Sequence, residues 1–259
     1  MGIPINPDFA QGVVRAETAP AMVIQPGLRL QVVGPTLKNL ENLRKKWLKW
    51  LEDNQAKLET VAPRVAVAAD RSIPNLSSIM VLAEESGRKL LLTGDGRGSD
   101  LLQGLKQAGL LDAQGRLHVD VLKMPHHGSA RNMTRRFLEK VTADRYVICA
   151  NGRDGNPDYP VLTWLVETAQ AHGRKIEILL TNATPSSEKL LKNYDPQEYG
   201  YTLTILDPQA HELVVEIALG GRILGYWAFT HSNPSRSETR SPPGLFCFLE
   251  LLQVRQKRL

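Results

Sequence analysis

The sequence predicts a layered α/β domain, on three observations. Short apolar segments of strand length alternate with segments whose apolar residues recur at helical spacing, from about residue 28 to about residue 217. Two of the apolar strands run directly into ligand-type side chains, at Asp95 and at His126-His127. The closing pair of strands follows one another without an intervening helix, which adds an antiparallel element.

The elements follow in chain order. Residues 1–26 are Pro-rich and aperiodic and read as a lead-in segment. Residues 28–33 alternate as a strand, and Gly34-Pro35 stops it. Leu37, Leu40, Leu43, Trp47, Leu48 and Leu51 then recur at helical spacing, with Thr36 as the N-cap. Strands are expected at 78–82 and 89–92, joined by a turn at Glu85-Ser86-Gly87. A helix over 100–110, a buried strand over 118–122 and a helix over 134–141 come next. A strand at 146–148, a helix over 161–171 and strands at 176–180, 201–206 and 212–217 complete the domain, which is placed at 27–220. No internal repeat is present. Residues 221–259 include the polar, Pro/Ser-rich stretch HSNPSRSETRSPPG and read as a disordered tail or linker.

Composition bounds the class. The 259 residues carry a 42% hydrophobic fraction, enough to bury a core. The net charge of +5 is spread along the chain and tolerates an anionic substrate without demanding one. The clearest basic cluster, Arg44-Lys45-Lys46 with Lys49, lies on the first helix beside Trp47 and Trp50. It fits a solvated helix face, the commoner case, or a nucleic-acid patch. Cys149 and Cys247, one in an apolar strand and one in the tail, suggest neither a disulfide framework nor a zinc ribbon. The first residues lack the basic and apolar regions of a signal peptide, and no apolar run approaches the about 20 residues needed to span a bilayer. The expected setting is cytoplasmic, with no membrane partner.

Two motifs carry the chemistry. In Leu90-Leu91-Leu92-Thr93-Gly94-Asp95 a strand delivers a carboxylate to the sheet edge, and its two oxygens can each take a metal ion. Taken alone, an Asp there is more commonly a cap for the next turn or helix. The second motif runs from Val119 to His126-His127-Gly128-Ser129. Neutral imidazole is a common zinc ligand, and in an extended segment only one of two neighbours faces a given point. The other would then support the ligand or contact substrate. Gly94-x-Gly96-x-Gly98 lacks the ending of a phosphate-binding loop, and Ser129 has no orienting acid to make it a nucleophile. The polar loop from Asn151 to Asp158 reads equally as a site loop or a plain turn.

Together, Pro74-Asn75-Leu76-Ser77-Ser78-Ile79, LLLTGD, DVLKMPHHGS and Tyr146-Val147-Ile148 resemble the metallo-β-lactamase superfamily. Within it they are similar to the branch related to the hydrolase domain of the DNA-uptake protein ComEC and its soluble bacterial relatives. The resemblance runs from about residue 27 to about residue 217. It implies a four-layer αβ/βα sandwich with a divalent metal, Zn or Mn, between the sheets. Asp95 would be the bridging carboxylate, His127 the late His ligand, and His126 the less favoured alternative. The metal would lower the pKa of bound water to roughly 7, giving a hydroxide that attacks an ester or phosphodiester. Ser129, Asn151, Asn156 and Asp158 would border the substrate cleft, and Asp154 stands where a His is expected.

One departure governs the reading. The family's main ligand cluster, His-x-His-x-Asp-His, should lie upstream of residue 28, yet the histidines stand at 118, 126, 127, 172, 211 and 231. The chain therefore looks like the C-terminal half of such a hydrolase, truncated or split and inactive alone. A catalytic zinc site usually takes three protein ligands, and Asp95 and His127 supply fewer, so metal should be held weakly. The missing layer should leave an exposed apolar sheet face, to be covered by an N-terminal half or by a second copy of the chain. The alternative is a non-catalytic interaction module that keeps the half-sandwich as scaffold.

Overall fold

Strand order follows chain order in the main sheet. The computed structural model describes residues 12–19, 21–25, 27–58, 74–210, 212–219 and 222–230, with Asn6 and Phe9. The sheet strands are β1 (Met22–Gln25), β2 (Leu28–Gly34), β3 (Met80–Glu85), β4 (Arg88–Leu92), β5 (Leu117–Lys123), β6 (Val141–Ile148), β7 (Ile176–Leu180) and β8 (Tyr201–Ile205). These form one eight-stranded sheet in the order β1 to β8. Neighbours from β1 to β4 are antiparallel, and those from β4 to β8 are parallel. The predicted α/β class is therefore the observed one.

Parallel neighbours need crossovers, and helices supply them. These are α2 (Gly98–Gln107), α3 (Arg135–Lys140), α4 (Tyr159–Ala171), α5 (Pro185–Asn193) and the short α6 (Pro196–Tyr199). Their buried residues, among them Leu101, Leu105, Phe137, Leu162 and Leu190, share one core with Leu91, Leu122, Ile148 and Leu180 of the sheet. The helices thus form a layer on one face. Their starts are fixed locally: Thr134 accepts from Phe137 N, and Thr184 and Ser187 bond each other's backbone in a capping box. The first helix, α1 (Leu37–Leu58), is capped as the sequence predicts. Thr36 Oγ1 accepts from Asn39 N at 3.3 Å, and Asn39 Oδ1 accepts from Thr36 N at 3.0 Å.

The lead-in segment has a structural part that its composition hides. Met22 pairs with Leu30 as β1 joins the sheet edge. The Glu17 carboxylate accepts from Leu37 N at 2.9 Å, placing a negative charge at the start of α1.

The second sheet face departs from expectation. Leu90 (1% exposed), Val121 (0%), Val147 (0%) and Leu179 (6%) are buried there, so the face is not a bare apolar surface. Strand β9 (Glu212–Leu219) lays Leu213 and Val215 into the same cluster. Its partner β10 (Arg222–Thr230) pairs with it antiparallel, Arg222 opposite Leu219 and Thr230 opposite Glu212. A tail boundary at residue 220 therefore falls inside a β-hairpin. Residues 231–259, with Cys247 and His231, and also His211, lie outside the described residues. Among the described residues no helix is long and apolar enough to cross a membrane.

Candidate functional site

Two adjacent parallel strands, β4 and β5, end side by side and carry the two motifs. Thr93, fully buried after β4, donates its hydroxyl to the Lys123 carbonyl at the end of β5 at 2.7 Å. That bond fixes the two strand ends against each other. Gly94 then adopts a φ of 50°, where a side chain would be disfavoured, and the chain turns to present Asp95. The backbone N–H of His126 donates back to the Gly94 carbonyl at 3.0 Å, so each motif holds the other.

The His pair is not extended. His126 (φ 44°) and His127 (φ 58°) are both left-handed, and Gly128 (φ 81°) follows in kind. A non-glycine residue held there costs on the order of 1–3 kcal/mol, and such residues cluster at functional sites. Surrounding bonds impose the turn. Ser129 N donates to the His126 carbonyl, Asp158 N to the Gly128 carbonyl, and Ala130 N to Asp158 Oδ2 at 2.8 Å. Gly128 is required on a second count, because a Cβ there would lie 2.8 Å from Pro157 Cβ. Strand alternation therefore does not set the two rings on opposite sides.

Hydrogen bonding separates the two imidazoles instead. His127 Nδ1 donates to the Cys149 carbonyl at 2.5 Å, which leaves the Nε2 lone pair free. That Nε2 stands 3.6 Å from Asp95 Oδ1. Burial pushes the His127 pKa down, the Lys123 charge adds to this, and Asp95 and the Cys149 carbonyl oppose it. The ring is thus held neutral in the tautomer a metal ion needs. His126 carries the opposite tautomer: its Nδ1 accepts from Asn75 Nδ2 at 3.0 Å, so Nε2 bears the proton. A donor of that kind suits an anionic oxygen, not a cation.

The remaining predicted positions divide. Ser129 is buried (5% exposed), and its hydroxyl accepts from Arg131 N at 3.4 Å. Asp158 starts α4 and holds the His turn through Ala130 N, so both Ser129 and Asp158 brace the site from behind. Asn151 is exposed and accepts from Arg153 N in a local turn, and Asn156 is half-buried. Asn75, which the sequence places in a motif without a site role, and the Cys149 carbonyl are the further contributors. Asn75 stands on the 3-10 turn Pro74–Ser77, far from the His pair in sequence.

Among the described residues no group of three or more His, Cys, Asp or Glu side chains could hold a metal ion. His118 pairs with Asp144 at 3.3 Å at the opposite end of β5, and His172 Nδ1 bonds the Thr168 carbonyl. Asp95 and His127 bring one carboxylate and one imidazole together, two side chains where a catalytic zinc site usually takes three protein ligands. No family model, curated protein or solved structure matches the chain.

Proposed function

We propose that residues 27–217 correspond to the C-terminal half of a metallo-β-lactamase-like, metal-dependent hydrolase domain acting on an ester or phosphodiester, and that these residues do not complete its metal site by themselves. The observation that carries the reading is the pairing of the Asp95 carboxylate with His127 Nε2 at 3.6 Å, with Nδ1 of that ring tied to the Cys149 carbonyl. Such an arrangement prepares a ligand nitrogen and a carboxylate for one cation. The ligands still needed would come from a His-x-His-x-Asp-His segment outside these residues, and Zn or Mn would be the ion. In this reading His126 Nε2–H hydrogen-bonds an anionic oxygen of the substrate.

Isothermal titration with Zn²⁺ tests it. The chain alone should bind weakly, Asp95→Ala and His127→Ala should each remove that binding, and an N-terminal half carrying the His cluster should restore tight binding. Tight stoichiometric zinc on the isolated chain would sink the half-site reading. Weak binding unchanged in both variants would sink the assignment of these ligands.

A further inference from the structure

Of the four exposed large apolar side chains on the described helices, three lie on α1, the fourth being Leu191 of α5. Leu37 and Trp47 are each 42% exposed and Leu48 is 47% exposed. Trp47 and Trp50 stack at 5.5 Å with an interplanar angle of 21°. Leu40, Leu43, Trp50 and Leu51 are half-buried, and the helix packs on the 3-10 turn Pro74–Ser77. The apolar positions recur at helical spacing along one arc, while Lys38, Lys45, Lys46 and Lys49 occupy the other side and outnumber Glu41, Glu52 and Asp53 there, all exposed. Arg44, also exposed, stands one turn from both Leu40 and Leu48, within the apolar arc.

We propose that α1 docks the protein on an anionic lipid surface. Trp and Leu side chains on one face with Lys on the other suit a helix lying in the headgroup layer. The position of Arg44 favours lipid over other occupants. A dry protein groove closing on Leu37, Trp47 and Leu48 would bury the guanidinium, whereas a headgroup layer offers phosphates at that depth. Nucleic acid would satisfy the lysines but leave the tryptophan and leucines in water. A helix unable to cross a bilayer can still lie on one.

Placement gives the docking a consequence. Gly34 at the end of β2 pairs with Met80, and Val81 pairs with Leu92 at the end of β4. The helix therefore leaves the sheet at the edge where β4 and β5 present Asp95 and His127, and docking holds that edge near the lipid. The proposal does not rest on the metal reading.

Co-sedimentation of the full chain with phosphatidylcholine vesicles, with and without phosphatidylglycerol, tests it. Binding should require phosphatidylglycerol and weaken as salt is raised. Removing both exposed side chains in Trp47→Ser/Leu48→Ser should lower partitioning by about tenfold or more. Lys45→Glu/Lys46→Glu should abolish the lipid-charge dependence. Far-UV circular dichroism of each variant should match the parent, since these side chains are exposed. No binding to either vesicle, equal binding to both, or undiminished binding of Trp47→Ser/Leu48→Ser would overturn the proposal. So would binding to a DNA duplex, but not to vesicles, that Lys45→Glu/Lys46→Glu removes.

Discussion

Replacing Gly104 by Ala sets helix propensity against packing. Gly104 is buried on α2, and a Cβ built on it would lie 2.8 Å from the Val33 carbonyl carbon, 3.5 Å from Val33 Cα and closer still to the Val33 carbonyl oxygen. Propensity alone would stabilise α2 by about 1 kcal/mol. Overpacking costs about 1–3 kcal/mol and sometimes more, and it belongs to the upper part of that range here, because the obstacle is backbone that no side-chain rotation can move aside. The expected balance is a net loss of about 1–2 kcal/mol, with α2 pushed off β2. Urea unfolding followed by far-UV circular dichroism measures it, with Gln103→Gly on the exposed side of the same helix as control. That control should lose about 1 kcal/mol through propensity alone. A Gly104→Ala protein as stable as the parent, or more so, would refute the argument that α2 seats directly on the β2 backbone.

Two further outcomes follow from the geometry. Thr93→Val keeps the side-chain shape but leaves the buried Lys123 carbonyl without its hydroxyl donor, so it should cost about 1–3 kcal/mol in the same unfolding assay. If the strand ends are coupled as described, it should also weaken whatever zinc binding depends on Asp95 and His127. Tyr194 donates its hydroxyl to Glu167 at 2.8 Å, and that bond, with burial, raises its pKa to about 12 from an ordinary 10.0. The folded chain then keeps a proton that the unfolded chain sheds from pH 10 upward, so this contribution is complete below pH 10 and is lost as pH rises through about 12. Tyr194→Phe should flatten that alkaline fall in stability. An unchanged slope would remove the Glu167 bond as its cause.

Much of the fold was legible because burial is periodic. The runs around Leu90, Val121 and Ile178 are apolar and bounded by turn residues, and each became a strand of the sheet. Elements that escaped do so for physical reasons. β1 is an edge strand of four residues whose Val23 and Ile24 remain exposed, so no alternation marks it. α5 carries only Leu190 and Leu191 among polar residues, and its start is set by a capping box instead of an apolar face. The burial of the second sheet face depends on contacts between distant segments, such as Leu213 with Val121 and Val147 in one cluster, and local pattern has no access to those.

The site was legible in its residue types and illegible in their roles. Asp95 and His127 follow from strands that end in ligand-type side chains, and the structure brings them within 3.6 Å. Which His of the pair offers a lone pair could not be read from alternation, because both residues are left-handed. It is decided by partners 22 and 51 residues away, the Cys149 carbonyl for His127 and the Asn75 amide for His126. A carbonyl can only accept, which puts the proton on His127 Nδ1 and the lone pair on Nε2. An amide nitrogen can only donate, which puts the His126 proton on Nε2. The same two-residue motif thus presents one acceptor and one donor at a single strand end. A cation and an anionic oxygen bound side by side would require that combination, and two identical tautomers could not supply it.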